Sequence, residues 1–473
     1  MKQRRFLLLL VAPLLLLHAQ DAAMVLRTSV TYRTQRNTLP LTDAQKQQAD
    51  ALMREAERAN AAGQYGEAMR AMLHGMAAMH GTEWTPAAEF AAALRTKLDH
   101  EMLEPGQHAT LTLTQLFPVQ LPVEMRKMTA SAMLGDANSG HAVVDTAALP
   151  QMVDIAVADL PAGNYNVEVR LAAGDTTVAT ARVPVHVERL SAAAGKLRAR
   201  VAKAHGDGRA LATAGYAVTL YERADAGDVN FAHIDFDGEF AAANALLDAV
   251  DAGRDPFAGR RGDLHLAYRS AVDQTLQPYR LFIPDAYDPA KTWPLVVALH
   301  GMGGDENTMF DAYAGAVKRA GERLGLLVVC PKGRDTASMY RGAAEQDVMD
   351  VLAEVRRDYK IDPARIYLMG HSMGGYGTWS TAMDHPDVFA ALGPISGGGD
   401  PAGMVKIKDI PEYVVHGDAD PTVPVENSRA MVAAGKKAGA RIEYVEIHGG
   451  NHTSVAAPQI APMFEFFVKQ RKQ

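Results

Sequence analysis

A pentapeptide with glycine at both ends, at residues 370–374, most strongly constrains how this chain can fold. It reads Gly-His-Ser-Met-Gly, with a strand-compatible run at 365–369 before it and a helix-compatible run at 375–383 after it. This order predicts a buried strand, a sharp turn and a helix. Glycines flanking the turn let strand and helix approach closely and leave Ser372 at the strained tip. The stretch therefore predicts a nucleophile elbow.

Strand and helix signals alternate through residues 263–473, the part of the chain that contains this turn. Such alternation is typical of a mostly parallel sheet covered by helices on both faces. Polar residues that could carry chemistry follow the strand ends, where open α/β sheets place their sites. We predict an amphipathic helix at 347–359 and further strands at 264–269, 278–283, 295–299, 326–329, 389–395, 413–415 and 442–447.

Acyl transfer needs a nucleophile, a base that takes its proton and a carboxylate that orients the base. Ser372 is the candidate nucleophile at the predicted elbow. Asp418 and Asp420 both follow a predicted strand and are alternatives for the carboxylate. His448 and His452 lie in the glycine-rich loop after the last predicted strand and are alternatives for the base. Each choice keeps the chain order Ser, Asp, His.

Three motifs together carry a resemblance to a known superfamily. Residues 365–375, His-Gly-Met-Gly-Gly at 300–304 and His-Gly-Asp-Ala-Asp-Pro-Thr-Val-Pro at 416–424 resemble the α/β-hydrolases. Within them the chain is most similar to the esterase branch of polyhydroxybutyrate-depolymerase-like and feruloyl-esterase-like enzymes, with prolyl-oligopeptidase-type peptidases as close relatives. The resemblance covers roughly the last two-fifths of the chain and implies an α/β-hydrolase fold there.

This resemblance also implies roles for individual residues. Ser372 is the implied nucleophile, Asp420 the carboxylate and His452 the base, because these positions match the family pattern. The backbone N–H groups of Met302 and Met373 are the implied donors of an oxyanion hole. We therefore expect these groups to meet at one edge of the sheet.

Other residues near the motifs have less specific interpretations. His300, Tyr340 and Trp379 are candidate pocket residues, with core packing as the alternative. Asp418 is interpreted as a turn residue that accepts hydrogen bonds from its own backbone. We expect no metal and no cofactor, because the sequence has neither a His-Glu-x-x-His motif nor a Cys/His cluster.

The N-terminus has the pattern of a signal peptide, which we place at residues 1–23. Lys2, Arg4 and Arg5 precede a short apolar run at 6–17, which is too short to span a bilayer. We therefore expect an exported, soluble protein, periplasmic or extracellular, with an uncleaved anchor as the alternative. Because Cys330 is the only cysteine, neither a lipid anchor at a cleavage site nor an intrachain disulfide is expected.

Three segments precede the predicted catalytic domain at 263–473. Residues 24–104 are rich in helix formers, and a glycine-containing break within them resembles a single tetratricopeptide-type hairpin; an ordinary helical hairpin is the preferred interpretation. Residues 105–190 contain short alternating runs that predict a β-sandwich, and a hairpin within it resembles immunoglobulin-like accessory domains, for which we favour a spacer role. Residues 191–262 predict a helical linker region.

The combined expectation is an exported serine hydrolase that cleaves carboxylic esters through an acyl-enzyme. A short connection between residues 396–399 and Pro411 leaves no room for a long lid, which suggests an open site for aryl or polymer-linked esters. The alternatives are a peptidase or amidase of prolyl-oligopeptidase type, and a binding protein with a vestigial hydrolase domain. The formal net charge of -7 gives no basic footprint for nucleic acid, and stable membrane insertion after removal of the leader is not expected.

Overall fold

The computed structural model describes the backbone of residues 8–472 and the side chains of residues 22–472. The side chains of the predicted signal peptide, apart from its last two, lie outside the described residues. Within the described part, no helix combines the length and the apolar character needed to cross a membrane. The chain forms two compact units, one of Met1–Lys203 with Ala217–Ala245 and one of Ala204–Tyr216 with Leu246–Gln473.

The first unit opens with helices that pack around small and apolar side chains. Tyr32 is buried and donates a hydrogen bond to the carbonyl oxygen of Ala49 at 2.7 Å. Thr42 and Gln45 form a reciprocal capping box at the start of the second helix, which satisfies two otherwise free backbone donors. The helices are α1 Leu8–Thr38, α2 Asp43–Ala61, α3 Tyr65–Met79 and α4 Pro86–Ala93.

Strands follow earlier than the sequence predicted, because β1 Leu94–Leu98 and β2 Met102–Leu103 lie inside the segment 24–104 that we expected to be helical. That prediction is wrong beyond Ala93. Leu94 and Leu98 are four residues apart, a spacing that fits one face of a helix and one face of a strand equally well. Antiparallel pairing of β1 with the next long strand favours the strand.

The strands of the first unit form two sheets. One has the order β1-β3-β6 and the other the order β2-β8-β7-β4-β5. Alternate residues of the strands point into a shared apolar core, as Val167, Val169 and Leu171 do along β7. The remaining strands are β3 His108–Gln115, β4 Lys127–Leu134, β5 Ala137–Asp145, β6 Gln151–Ala156, β7 Gly163–Ala173 and β8 Thr176–Val187, with 3₁₀ turns at Val123–Met125 and Thr146–Ala148.

Helices α5 Ser191–Val201, α6 Gly208–Asp225 and α7 Phe236–Asp251 occupy the predicted linker region. The division between the two units falls within α6 and again within α7. Residues 204–216 and 246–261 belong to the second unit, so the boundary predicted at residue 263 is displaced. Arg209 shows why, since its buried guanidinium pairs with Asp358 of that unit at 3.1 Å.

The second unit is built on a mostly parallel sheet, as predicted. Its order is β16-β15-β14-β13-β11-β12-β10-β9; β9 and β10 are antiparallel to their neighbours and the other pairs are parallel. Strands β11, β12 and β14 are continuous apolar runs, as expected of strands that are covered on both faces. The strands are β9 Gly262–Arg269, β10 Leu276–Ile283, β11 Trp293–Leu299, β12 Leu327–Pro331, β13 Ile361–His371, β14 Ala391–Ile395, β15 Glu412–Gly417 and β16 Ile442–Ile447.

The helices of the second unit connect these strands, so the loops after the parallel strands gather at one edge of the sheet. The helices are α8 Thr308–Asp311, α9 Ala316–Leu324, α10 Ala343–Asp358, α11 Met373–Asp384, α12 Val425–Ala438 and α13 Ala456–Phe467, with 3₁₀ turns at Tyr313–Gly315 and Pro401–Ile407. Ser372 stands at this edge, between β13 and α11.

Candidate active site

The turn at Ser372 has the strained geometry expected of a nucleophile elbow. Ser372 has φ 57° and ψ −118°, a conformation that is costly for a residue with a side chain. A Cβ on Gly370 would lie 2.3 Å from the carbonyl oxygen of Gly374, and one on Gly374 would lie 2.1 Å from that of Leu299. Only glycine fits at either position, which explains the spacing seen in the sequence.

His452 connects Ser372 to Asp420. Its Nε2 lies 2.9 Å from the Ser372 Oγ, and its Nδ1 lies 2.7 Å from the Asp420 Oδ2. A carboxylate can only accept, so Nδ1–H donates to Asp420 and Nε2 is left to accept the serine proton. The structure thus brings together the nucleophile, base and carboxylate that were predicted from separate strand ends.

Asp420 is held as a carboxylate. Its side chain is 0% exposed, and its Oδ1 accepts the backbone N–H groups of Thr422 at 2.8 Å and Val423 at 2.9 Å. Burial alone would raise the pKa of Asp420, but hydrogen bonds from His416 and His452 outweigh it and lower that pKa well below the ordinary value. The group can therefore stabilise a positive charge on His452 without taking up a proton.

The alternative carboxylate and base pair with each other instead. His448 Nδ1 lies 2.8 Å from Asp418 Oδ2, and the backbone N–H of Gly449 donates to Asp418 Oδ1 at 2.7 Å. The His448 side chain is fully exposed, at 100%. The prediction that Asp418 bonds its own backbone is wrong, because its partners come from the histidine loop. The Asp418 carboxylate and the His448 ring therefore bind each other and not the Ser372 hydroxyl.

The two predicted oxyanion donors lie beside Ser372. Met373 is the first residue of α11, where a backbone N–H has no partner within the helix. A Cβ on Gly301 would lie 3.4 Å from the Ser372 Cβ, so the loop that carries Met302 runs directly past the serine. Among the described residues, neither Met302 nor Met373 uses its backbone N–H in a hydrogen bond. Their role as oxyanion donors stays a prediction.

The three candidate pocket residues are buried, as the core-packing alternative predicts. His300 is 1% exposed, and Tyr340 and Trp379 are 0% exposed. Tyr340 packs under α11, because a Cβ on Gly377 would lie 2.6 Å from its ring, and its hydroxyl donates to the His300 carbonyl oxygen at 3.3 Å. These large side chains fill the closely packed interior next to the glycine-rich elbow.

Two loops are tied together behind the oxyanion donors. His300 Nε2 lies 2.6 Å from the Lys332 carbonyl oxygen, and the Gly303 N–H donates to the Thr336 carbonyl oxygen at 2.7 Å. Burial lowers the pKa of His300, and a hydrogen bond to the Gly301 carbonyl oxygen acts in the opposite direction. The loop at 300–304 is thereby fixed by the loop after β12, which the sequence did not indicate.

His371 supports the candidate base from the other side. Its Nε2–H donates to the His452 carbonyl oxygen at 2.8 Å, and its Nδ1 accepts from the Tyr313 hydroxyl at 2.8 Å. Burial, with the neighbouring His452 ring, lowers the pKa of His371 to about 4. Because the neutral His371 ring carries one proton, one nitrogen donates and the other accepts. Tyr313 carries no sequence signal, since it lies in an irregular segment far from the motifs.

Glu412 is buried below the elbow, where the Trp379 indole N–H donates to its Oε2 at 2.8 Å. Its Oε1 has no hydrogen-bond partner among the described residues. Burial raises the pKa of Glu412 to about 7, against a hydrogen bond from Trp379 that acts in the opposite direction. The folded protein therefore holds this proton more tightly than the unfolded chain does.

We expect Glu412→Gln to reduce the pH dependence of stability. Between pH 4.5 and 7 the unfolded chain loses this proton and the folded protein keeps it, so the free energy of unfolding falls as pH rises. The advantage of the variant over the natural protein should grow by roughly 3 kcal/mol from pH 4.5 to 8. Urea unfolding at both pH values measures it, with exposed Glu443→Gln as the matched control. If the free energy of unfolding changed with pH in the same way for Glu412→Gln and the natural protein, Glu412 would not be holding a proton in the folded state.

Within the described residues, no group of three or more His, Cys, Asp or Glu side chains is placed to hold a metal ion. The groups that meet at this edge of the sheet are the Ser372 hydroxyl, the His452 imidazole and the Asp420 carboxylate. These are the groups of nucleophilic acyl transfer.

Comparisons with known proteins agree with this site. The prolyl oligopeptidase family matches residues 336–414, a segment that contains Ser372 and ends before Asp420. A protein named probable feruloyl esterase C, from Aspergillus terreus, is 29% identical over 160 residues, covering 32% of this chain and 58% of its own. Feruloyl esterase B from Neurospora crassa is 32% identical over 135 residues, covering 24% and 42%. Poly(3-hydroxyalkanoate) depolymerase C from Paucimonas lemoignei is 30% identical over 118 residues, covering 22% and 28%.

The chain therefore spans less than two thirds of the length of each of these three relatives. The family match and these relatives support an α/β-hydrolase of the esterase branch, similar to feruloyl esterases and polyhydroxyalkanoate depolymerases.

Proposed function

We propose that the protein is an exported serine hydrolase that cleaves carboxylic esters through a Ser372–His452–Asp420 triad and an acyl-enzyme intermediate. The observation that carries the proposal is the pair of hydrogen bonds through His452, at 2.9 Å to Ser372 and 2.7 Å to Asp420. A serine hydroxyl is a weak nucleophile by itself and needs such a base. His452 is in position to act as this base.

In the proposed reaction the Ser372 Oγ attacks the ester carbonyl carbon while His452 Nε2 takes the serine proton. The negative charge that develops on the carbonyl oxygen is stabilised by the N–H groups of Met302 and Met373. His452 then gives its proton to the leaving alcohol, and the acyl group remains on Ser372. Water gives a proton to His452 and attacks the carbonyl carbon of the acyl-enzyme. His452 then returns that proton to the Ser372 Oγ as the bond to the acyl group breaks and the acid leaves.

We further propose that the substrates are aryl or polymer-linked esters. The connection between β14 and β15 holds only a 3₁₀ turn, Pro401–Ile407, in the described structure, so no long lid is inserted there. The names of the relatives, feruloyl esterase and poly(3-hydroxyalkanoate) depolymerase, support this substrate class. Bulky esters could then reach Ser372 from solvent.

The test is hydrolysis of p-nitrophenyl acetate, p-nitrophenyl butyrate, methyl ferulate and an aminoacyl p-nitroanilide by the natural protein and by Ser372→Ala. We expect ester turnover that falls to background in Ser372→Ala, because the variant has no nucleophile. Ser380→Ala, on the following helix, is the matched control and should keep natural rates. Ester turnover that survives Ser372→Ala would contradict the proposal.

An amide substrate is the second candidate, favoured by the match of residues 336–414 to the prolyl oligopeptidase family. Turnover of the anilide that depends on Ser372 would support it. A fluorophosphonate probe addresses the third alternative, a binding protein with a vestigial site. We expect a stoichiometric adduct on Ser372, and its absence from folded protein would favour the binding protein.

We also propose roles for the regions outside the second unit. Residues 1–23 would direct export, and the N-terminal sequence of protein recovered from the periplasm or medium tests this. The two sheets of the first unit would form an immunoglobulin-like spacer domain. Their alternating buried and exposed strand positions support a sandwich.

A further inference from the structure

We propose that His416 is a positioning residue for Asp420, acting through a donor hydrogen bond to the carboxylate; this deepens the proposed function and rests on it. His416 Nε2 lies 3.3 Å from Asp420 Oδ2, the same oxygen that accepts from His452. Both side chains are 0% exposed. Asp420 thus stands between two imidazoles, one that faces Ser372 and one that faces the protein interior.

The His416 ring is fixed by groups from three segments of the fold. Its Nδ1 lies 2.7 Å from the Ser428 hydroxyl on α12, and its Nε2 also lies 3.0 Å from the Val423 carbonyl oxygen. The Ser428 hydroxyl is in turn 3.2 Å from the carbonyl oxygen of Gly397, which follows β14. Because Nε2 faces two acceptors, it carries the proton, and its single N–H is shared between the Val423 carbonyl oxygen at 3.0 Å and Asp420 Oδ2 at 3.3 Å.

This donor completes the hydrogen bonds of the Asp420 carboxylate. Two backbone N–H groups bind Oδ1, and two imidazole nitrogens bind Oδ2. Two ionised oxygens have about four acceptor sites in total, so every site is occupied. A carboxylate bound on all sides cannot rotate, and Oδ2 stays directed at His452 Nδ1. Without His416, Oδ2 would lose one of its two fixed partners and the His452 ring would lose part of its orientation.

A buried histidine could instead serve packing alone, and the two roles predict different effects. If only volume matters, an apolar residue of similar size preserves the site. If the N–H matters, that residue leaves Asp420 with one donor fewer. The carboxylate then shares less of its negative charge with a second donor, so the His452 imidazolium forms more readily. The titratable groups around His416 are Asp420, His452, His371 and, on β16, Glu446.

The experiment compares His416→Leu, which lacks a donor, with His416→Gln, which keeps a side-chain N–H, in the full chain. For p-nitrophenyl acetate we expect His416→Leu to lower kcat by about 10- to 100-fold with KM within about twofold, because a small displacement of the triad slows the chemical step. The acid limb of the kcat/KM profile should move up by roughly half a pH unit. His416→Gln should keep most of kcat and the natural acid limb.

The NMR signal of the His452 Nδ1 proton, which bonds Asp420, provides a readout that does not need turnover. If the natural protein hydrolyses no ester, the proposed function fails, whereas a shifted Nδ1 proton signal in His416→Leu alone would still support positioning. If His416→Leu does not fold, Ser428→Ala takes its place, because it frees the ring that Ser428 orients; the same direction of change is expected. The proposal is overturned if the folded variant keeps natural kcat and the natural Nδ1 proton signal, or if His416→Gln loses as much as His416→Leu.

Discussion

His452→Ala is expected to lower kcat for ester hydrolysis by about 10⁴-fold or more, because no other group can take the Ser372 proton. The imidazole lies 2.9 Å from the Ser372 hydroxyl, and its neighbour His371 uses both ring nitrogens in other hydrogen bonds. Steady-state kinetics with p-nitrophenyl butyrate measure the loss. Substrate binding should change little, so the effect should appear in kcat and far less in KM.

His448→Ala is the matched control for this prediction. It removes an imidazole from the same loop, four residues away, whose ring is fully exposed and pairs with Asp418. We expect its kcat to stay within about twofold of the natural value, since a surface ion pair contributes little. A large loss in His448→Ala, or a small one in His452→Ala, would exchange the roles assigned to these histidines.

Asp420→Asn is expected to lower kcat by about 10⁴-fold, because an amide can donate to Nδ1 and so favour the wrong tautomer of His452. The carboxylate also stabilises the imidazolium, and that contribution disappears with its charge. The fold should persist, since asparagine has nearly the same shape. Kinetics of the purified variant at several pH values, with circular dichroism to confirm folding, measure the effect.

Asp418→Asn provides the comparison for Asp420→Asn, two residues away in the same turn. Asp418 lies on the solvent side and binds His448 and the Gly449 N–H. We expect natural kcat within about twofold. Equal losses in both variants would indicate that the turn as a whole, rather than the Asp420 carboxylate, determines activity.

Much of the second unit could be predicted from the sequence because its signals are local. The elbow needs glycines at fixed positions, and the actual contacts at Gly370 and Gly374 show why any other residue would collide. Strands buried on both faces are continuous apolar runs, as in β11. The order of Ser372, Asp420 and His452 along strand ends predicts that the three side chains lie at one edge of the sheet.

Features that depend on long-range packing could not be predicted in the same way. Tyr340 and Trp379 near an elbow can face a pocket or the interior, and only the fold shows that both are buried. His416 stands in a recognisable motif, but its contact with Asp420 needs the turn to fold back over the strand. Leu94 and Leu98 fit two periodicities, and pairing with a strand more than ten residues later decides between them.

The position of the only cysteine makes the protein well suited to site-specific labelling. Cys330 lies within β12, is 1% exposed, and its thiol pKa is raised well above the ordinary value by burial. Maleimides react with exposed thiolates, so the natural protein should remain unlabelled under native conditions. Cysteines introduced at the exposed positions Val143 and Val405, one in each unit, would then be the reactive sites for a pair of dyes. Each dye would then report on its own unit, without first removing a native thiol.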